Sequence, residues 1–320
     1  MKAATRQKYG LPDVLAINEI EKPTPAETEI LVKVHAATVN RTDCANLRGK
    51  PLIMHLVVGF LKPKLPITGT DFAGVVESIG EGVTRFKVGD RIWGFHDTGL
   101  SSHAQYLTID EKRAIEKIPE NVNFQQATAS AEGAHYAINF MNKTNIQPHH
   151  KVLVNGATGA IGSAMLQILK AQGVYVTAVC NTKNIGLMKS LGADKTIDYT
   201  TEDFTQDTEK YHFVFDAVGK SQFARCKPLL EPDGIYISSE LGPYWQNVYL
   251  PLVTKISGNK RVIFPIPSNV QKSLQTMKGL LESGKFRPVI DRTYPLADIR
   301  AAYEYVLKGQ KTGNVVIDCT

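Results

Sequence analysis

The run Lys151-Val152-Leu153-Val154-Asn155-Gly156-Ala157-Thr158-Gly159-Ala160-Ile161-Gly162, continued by Ser163-Ala164-Met165-Leu166-Gln167-Ile168-Leu169, decides the fold of this chain. A short apolar stretch, glycines at intervals of three, and then apolar residues at helical spacing read as a strand, a tight turn and a helix. Such a turn meets the demands of a dinucleotide. Gly156 gives a sharp exit from the strand, Gly159 lets a pyrophosphate approach the backbone, and Gly162 lets the helix pack closely on the strand. The helix opening near Ala160 aims free backbone N–H groups at the anion. Glycines at this spacing also occur in ordinary turns, so the flanking sequence has to carry the rest.

The flanks alternate as a doubly wound sheet requires: an apolar strand from Val174 to Cys180, a helix from Asn184 to Leu191, and strands from Lys195 to Tyr199, His212 to Val218 and Gly234 to Ser239. At the end of the second strand a free ribose 2′-hydroxyl calls for an acidic acceptor. No carboxylate occurs between Gly156 and Asp194. The strand ends Cys180-Asn181-Thr182-Lys183, offering an amide, a hydroxyl and an ammonium that suit a 2′-phosphate, so the expected cofactor is NADPH. The plainer alternative makes these three solvated loop residues.

With 320 residues, 43% of them hydrophobic and 21% charged, the chain is long enough for two domains. The formal charge of +6 is dispersed among acids, with no arginine-rich run or aromatic-basic interleaving, so nucleic acid is not an expected partner. Cys44, Cys180, Cys226 and Cys319 lie far apart, with neither a CxxC nor a histidine at ligand spacing, and read as free thiols in a reducing compartment. The start of the sequence has no apolar signal core and no stretch is long enough to span a bilayer, so a cytoplasmic protein is expected. The apolar residues 50–65 admit two readings, a helix buried against the body or a lid over a substrate cleft. Before them, Lys2 to Thr5, Leu15 to Ile20 and Glu29 to Ala36 alternate like strands, the last with Ile30, Val32 and Val34 on one face. Ala37 to Gly49 reads as a loop entering a short helix, and Asn123 to Asn142 as one long helix.

From Gly69 to Val83 the chain reads GTDFAGVVESIGEGV, and from Phe86 to Gly94 FKVGDRIWG. With the NGATGAIG turn at Asn155 to Gly162, FDAVG at Phe215 to Gly219 and TGNVVI at Thr312 to Ile317, the chain resembles the medium-chain dehydrogenase/reductase superfamily over essentially its whole length. The resemblance implies an α/β protein with a GroES-like β-barrel catalytic domain at 1–122, a Rossmann cofactor domain at 123–266, and a segment 267–320 that returns to complete the first. The zinc alcohol dehydrogenases it is similar to carry a ligating Cys where this chain has Asn40, and a His-Glu pair where it has Thr70-Asp71. Their structural zinc lobe is absent too. Without thiolate and imidazole a zinc ion lacks adequate ligands, so no metal is expected and the zinc-free quinone oxidoreductase and enoyl reductase branch is the better likeness.

By that likeness Asn40 touches the nicotinamide ribose or the substrate carbonyl, Asp43 supports its loop, and His135 lies on the helix nearest the nicotinamide. Each has a plainer reading, as strand end, helix cap and packed helix residue. Expected cofactor contacts are Asn40, Gly156, Thr158, Gly159, Ala160, Ile161, Gly162, Asn181, Thr182, Lys183, Tyr199, Val218, Gly219 and Asn314. His96, His103, Tyr106 and solvent all remain open as proton donors. A metal-free site has no Lewis acid for an alkoxide, whereas hydride transfer to a quinone or to the β-carbon of an enone spreads the charge over the substrate itself. The expected activity is reduction of a small, apolar quinone or activated alkene. The alternatives are an alcohol or aldehyde oxidoreductase and a non-catalytic NADPH-binding protein. Family likeness further implies a homodimer built on the strand near Arg261 to Phe264.

Overall fold

The computed structural model describes residues 1–51 and 55–320. They form two compact units, Met1–Glu132 with Asn269–Gly284 and Pro288–Thr320, and Gly133–Ser268 with Lys285–Arg287. The sequence places the exchanges at 122/123 and 266/267; the structural divisions fall at Glu132/Gly133 and Ser268/Asn269, and Lys285–Arg287 groups with the second unit.

In chain order the first unit begins with strands β1 (Lys2–Thr5), β2 (Ala16–Glu19) and β3 (Glu29–Val39) and helices α1 (Arg41–Arg48) and α2 (His55–Val58). Strands β4 (Asp71–Ile79), β5 (Arg91–Phe95), β6 (Tyr106–Asp110) and β7 (Ile115–Lys117) follow, then helix α3 (Phe124–Thr128); helix α4 (Glu132–Asn142) starts on the last residue of this stretch, and from Gly133 it belongs to the second unit. The second unit continues with β8 (Lys151–Asn155), α5 (Ala160–Ala171), β9 (Tyr175–Cys180), α6 (Ile185–Ser190), β10 (Lys195–Asp198), β11 (Tyr211–Asp216), α7 (Phe223–Cys226), β12 (Leu230–Ser238), α8 (Gln246–Ser257) and β13 (Arg261–Ile263). The chain then adds α9 (Val270–Glu282), β14 (Ile290–Pro295), α10 (Ile299–Leu307) and β15 (Asn314–Asp318) to the first unit.

Strand β3 organises the first unit. Its length of 11 residues lets it pair antiparallel with β6, β4 and β15 along successive stretches, in a sheet ordered β14-β15-β3-β4-β5-β7. Register shifts against β4 at Leu31/Val32 and Val34/Ala36 bend it, as a strongly curved sheet requires. Ile30, Val32 and Val34 are fully buried, each worth about 1.5–3 kcal/mol of transfer free energy. The pairing Val39↔Val315 brings the ends of β3 and β15 together, and with them Asn40 and Asn314.

The second unit is a doubly wound parallel sheet of order β10-β9-β8-β11-β12-β13, which reverses direction of winding between β8 and β11. Val152, Leu153 and Val154 are fully buried because helices cover both faces of a parallel sheet. Helix α5 buries Ala164, Met165, Leu166, Ile168 and Leu169 through its apolar periodicity.

Several sequence expectations change. The helix expected over Asn123 to Asn142 is two helices, because Ala129, Ser130 and Ala131 close tight turns back to Gln125, Ala127 and Thr128. The strand expected to reach Val218 stops at Asp216, leaving Val218 and Gly219 in the following loop. The strand expected near Arg261 to Phe264 is Arg261–Ile263. Helix α8 has no counterpart among the expectations, since its Pro251 and mixed exposure hide the helical period. Of the apolar segment 50–65, residues 52–54 and the side chains of Leu56 and Val57 lie outside the described residues. Val58 is buried, whereas Phe60 and Leu61 are exposed.

Candidate functional site

The turn after β8 separates what the protein needs for itself from what it holds in reserve. Gly156 has φ +76°, a conformation that favours glycine, and a Cβ there would lie 2.7 Å from Val218 Cβ. A Cβ on Gly162 would lie 2.2 Å from Gly156 O. Packing alone therefore demands both residues. Gly159 is different: its φ of −73° and ψ of 174° are open to any residue, and a Cβ would meet only Gly156 O, at 3.7 Å. The space above Gly159 is free at the N-terminus of α5, where the first-turn amides have no intrahelical acceptor. Thr158, Gly159, Ala160 and Ile161 are partly exposed there. The amides of Ala160, Ile161 and Gly162 and the positive end of the helix dipole face this space, the arrangement an anion requires.

The loop after β11 is drawn to the same turn by Asp216, a residue with no role among the sequence expectations. Fully buried, its Oδ1 accepts from Asn155 Nδ2 at 2.9 Å and from Gly219 N at 3.0 Å, and its Oδ2 from Ser221 N at 2.9 Å and the Tyr236 hydroxyl at 3.1 Å. Asp216 thereby ties the ends of β8 and β11 and sets Val218 against Gly156. Its role is invisible locally, because its partners come from β8, β12 and the loop beyond β11.

At the end of β9, Asn181 accepts from Asn184 Nδ2 at 2.7 Å, Thr182 and Lys183 are exposed, and Tyr199 is 56% exposed with its N–H on Cys180 O. The sheet adds here a carboxylate that sequence order places elsewhere. Asp198 pairs with Cys180 across β9 and β10 and accepts from the Thr182 hydroxyl at 2.5 Å and from Thr200 N at 2.9 Å. The hydroxyls of Thr182 and Thr200 hold its carboxyl below the usual range, so it is ionised. His135 lies on α4, fully buried, with Asn139 Nδ2 donating to its backbone carbonyl at 2.8 Å and 3.3 Å from its ring nitrogens.

In the first unit Asn40 is N-cap of α1, with its N–H on Asp43 Oδ2 at 2.9 Å. Its side-chain amide is clamped on three sides: Nδ2 donates to Thr38 Oγ1 at 2.9 Å and to Asn314 Oδ1 at 3.3 Å, and Oδ1 accepts from Lys311 Nζ at 3.0 Å. Asn314 in turn donates to the carbonyls of Ala129 and Val289 at 3.0 and 3.1 Å. Asp43 Oδ1 accepts from Thr70 Oγ1 at 3.1 Å, and Asp71 is held by Thr38 N, Thr38 Oγ1 and Thr128 Oγ1. Glu132 accepts from Thr42 at 2.7 Å through Oε1, while its buried Oε2 has no hydrogen-bond partner among the described residues. Lys311, which no sequence motif marks, completes the cluster.

Burial governs the charges of this cluster. It pushes Asp71 up to about 6 and Glu132 up to about 8, and raises Asp43 well above the carboxylate range, helped by the nearby Glu132 and Asp71. It lowers Lys311 to about 8, against the pull of Glu132. His103, one of the expected donor candidates, is fully buried with Nδ1 2.9 Å from Thr68 Oγ1 and Nε2 2.9 Å from Thr38 O, and burial holds it down near 4. It is a satisfied core histidine. His96 is bonded to Thr98 and Arg113, and burial lowers it as well. Among the described residues no group of three or more His, Cys, Asp or Glu side chains is arranged to hold a metal ion, and no helix is long and apolar enough to cross a membrane. All four cysteines are free and buried.

Residues 26–120 match the alcohol dehydrogenase GroES-like domain and residues 191–317 the zinc-binding dehydrogenase domain. A quinone-oxidoreductase of Triphysaria versicolor, described as chloroplastic, is 29% identical over 94% of this chain and 92% of its own length. The NADPH-dependent alkenal/one oxidoreductase of Arabidopsis thaliana, also chloroplastic, is 30% identical over 99% of this chain and 79% of its own. The structure of the quinone oxidoreductase from Coxiella burnetii superposes with a TM-score of 0.87 at 24% identity, covering 99% of both chains. A GroES-like unit, a doubly wound NAD(P)-binding unit and relatives along the full chain together make this protein an oxidoreductase of the medium-chain dehydrogenase/reductase superfamily, in its quinone oxidoreductase branch.

Proposed function

We propose that the chain is a zinc-independent reductase that uses NADPH to reduce quinones or the C=C bond of α,β-unsaturated carbonyls. The observation that carries this reading is the saturated hydrogen bonding around Asn40 and Asp71, the positions where the zinc relatives are expected to carry Cys and Glu. An amide held on three sides and a carboxylate accepting three bonds form a rigid polar floor with no thiolate or imidazole to offer a metal. A substrate whose conjugation accepts the charge suits that floor. Bound NADPH supplies the hydride. The residues that would hold it are Ala160, Ile161 and Gly162 at the pyrophosphate, Val218 and Gly219 beside them, and Asn181, Thr182, Lys183 and Tyr199 at the adenosine end. Asn40, Asp43, Asn314 and His135 are proposed for the nicotinamide and substrate end. Lys183 is exposed and has no carboxylate bonded to it among the described residues, which favours a 2′-phosphate, while Asp198 opposes one. Four buried thiols suit a reducing compartment such as the cytoplasm.

The homodimer is proposed through β13, an open edge of the parallel sheet, flanked by an exposed stripe of Val248, Tyr249, Leu252, Val253 and Ile256 on α8. Sedimentation as a monomer at working concentration would remove it. The enzymatic reading is tested by following nicotinamide absorbance when chelator-treated protein receives NADPH with a panel of quinones, enones and aldehydes. Oxidation by quinones or enones is expected. Turnover with alcohols restored by added zinc, or silence across the panel with NADPH binding intact, would overturn it.

A further inference from the structure

Lys311 stands out among the groups that the proposed reaction leaves unused. Its ammonium donates to Asn40 Oδ1 at 3.0 Å and to the carbonyl of Gly313, which accounts for two of three N–H bonds. Among the described residues no carboxylate lies within ion-pair distance of it. Glu132 acts on it through space only, and its unpartnered Oε2 shows that this part of the cluster is short of donors. Since an ammonium can only donate, it also fixes which end of the Asn40 amide faces it. The residue as a whole is partly exposed while its ammonium is desolvated, and the third N–H is left to meet a ligand that reaches Asn40. His103, by contrast, has both ring nitrogens committed in the core.

We propose that Lys311 is the proton donor of the reaction, giving its uncommitted N–H proton to the carbonyl oxygen of a conjugated ketone or aldehyde. This rests on the reading that the chain reduces such substrates. Hydride adds to the β-carbon, the C=C electron pair moves to form the Cα–C double bond, and the C=O pair moves onto oxygen. Lys311 then transfers H⁺ to that oxygen, leaving a neutral enol and a neutral amine. The amine regains a proton from water, and the enol becomes the saturated carbonyl compound by proton exchange with solvent. Substrate plus hydride plus proton balances the product.

Lys311 is faced by Glu132 at the start of α4, Cys44 and Arg41 on α1, and Asp291 on β14. Burial lowers it to about 8, within the range where an amine both holds and releases a proton near neutrality. The rate should therefore fall as pH rises through about 8, as the ammonium is lost.

The test begins without cofactor. In protein labelled with lysine carrying ¹³C at the ε position, one Cε resonance should titrate near 8 and be missing from K311M. A Lys311 resonance that titrates with the other lysines, near about 10.4, overturns the proposal. With NADPH and 1-octen-3-one, K311M should lose about 100-fold or more in kcat with the KM for NADPH unchanged. K311R, which keeps the charge but cannot release a proton, should lose as much. Full kcat in K311R, or an unchanged kcat and pH profile in K311M, would sink the proposal while leaving the reductase reading standing. If wild-type protein consumes no NADPH with any enone or quinone, the reductase reading fails instead. Matching circular dichroism and melting of both variants establishes that loss of rate is not loss of fold.

Discussion

Replacing Gly159 and Gly162 by alanine, one at a time, separates cofactor binding from folding. In Gly162→Ala the new Cβ falls 2.2 Å from Gly156 O and 2.7 Å from Ala157 Cα. Both are backbone atoms of a turn already pinned by Gly156 at φ +76°, so α5 or the turn must shift. Overpacking of this kind costs about 1–3 kcal/mol. At about 3 °C per kcal/mol the melting of the second unit should drop by about 3–9 °C. In Gly159→Ala the Cβ enters free space, 3.7 Å from Gly156 O, on a backbone that alanine adopts without strain. The cost is the weaker N-cap preference of alanine, about 1 kcal/mol or less. What that Cβ does is occupy the approach of the pyrophosphate, so NADPH affinity should fall about 10- to 100-fold, or about 1.4–2.8 kcal/mol. Differential scanning fluorimetry without nucleotide and titration of NADPH fluorescence read the two effects separately. Gly159→Ala protein that binds NADPH like wild type would refute the assignment of that space to phosphate. Destabilisation by Gly159→Ala equal to that of Gly162→Ala would refute the distinction between the two glycines.

Lys183→Ala should weaken NADPH more than NADH, by about 1–3 kcal/mol if the exposed ammonium pairs with the 2′-phosphate; equal weakening in fluorescence titrations would remove Lys183 from that role. Asp198→Asn removes an ionised carboxylate bonded to Thr182 and should shift the NADPH-to-NADH affinity ratio about two- to fivefold toward NADPH, with no shift meaning that its charge does not reach the ribose. Asp71 is pushed up from 3.8 to about 6 in the fold, so the folded state binds the proton more tightly than the unfolded chain. Stability of the first unit should therefore decline as pH rises from about 4 to about 6, by an amount on the order of 2–3 kcal/mol from this group. Asp71→Asn should flatten that part of the slope in denaturant titrations; an identical slope in both proteins would count against it.

Features encoded within a few residues are legible in the sequence alone. The Gly156–Gly162 turn, the alternation of Ile30, Val32 and Val34, and the strand and helix of β8 and α5 depend on neighbours in sequence, whose periodicity and backbone freedom can be read directly. The same holds for Asn40, Thr70 and Asp71 standing where zinc ligands are expected. Three departures share one cause. The break in the helix between Asn123 and Asn142, the end of β11 at Asp216 and the presence of α8 are settled by tight turns, an Asp216-centred loop and a partly exposed helix face, all of which answer to contacts outside the segment.

The chemistry of the site belongs to tertiary structure. Asp198 lies far along the chain from Cys180 and becomes its neighbour only when β10 pairs with β9. Lys311 meets Asn40 across 271 residues, and Asn314 meets it across 274, because β15 returns to lie on β3. No local pattern distinguishes this lysine from the many others in the chain. Its low pKa arises from burial, against the pull of Glu132, and its hydrogen bonding from two acceptors that the fold supplies. The sequence by itself determined the Gly156–Gly162 turn on which the dinucleotide is proposed to lie, since such a cradle is a property of one turn. Which groups hold a proton beside Asn40 was decided by the packing of segments from opposite ends of the chain, since pKa values answer to surroundings and not to residue type.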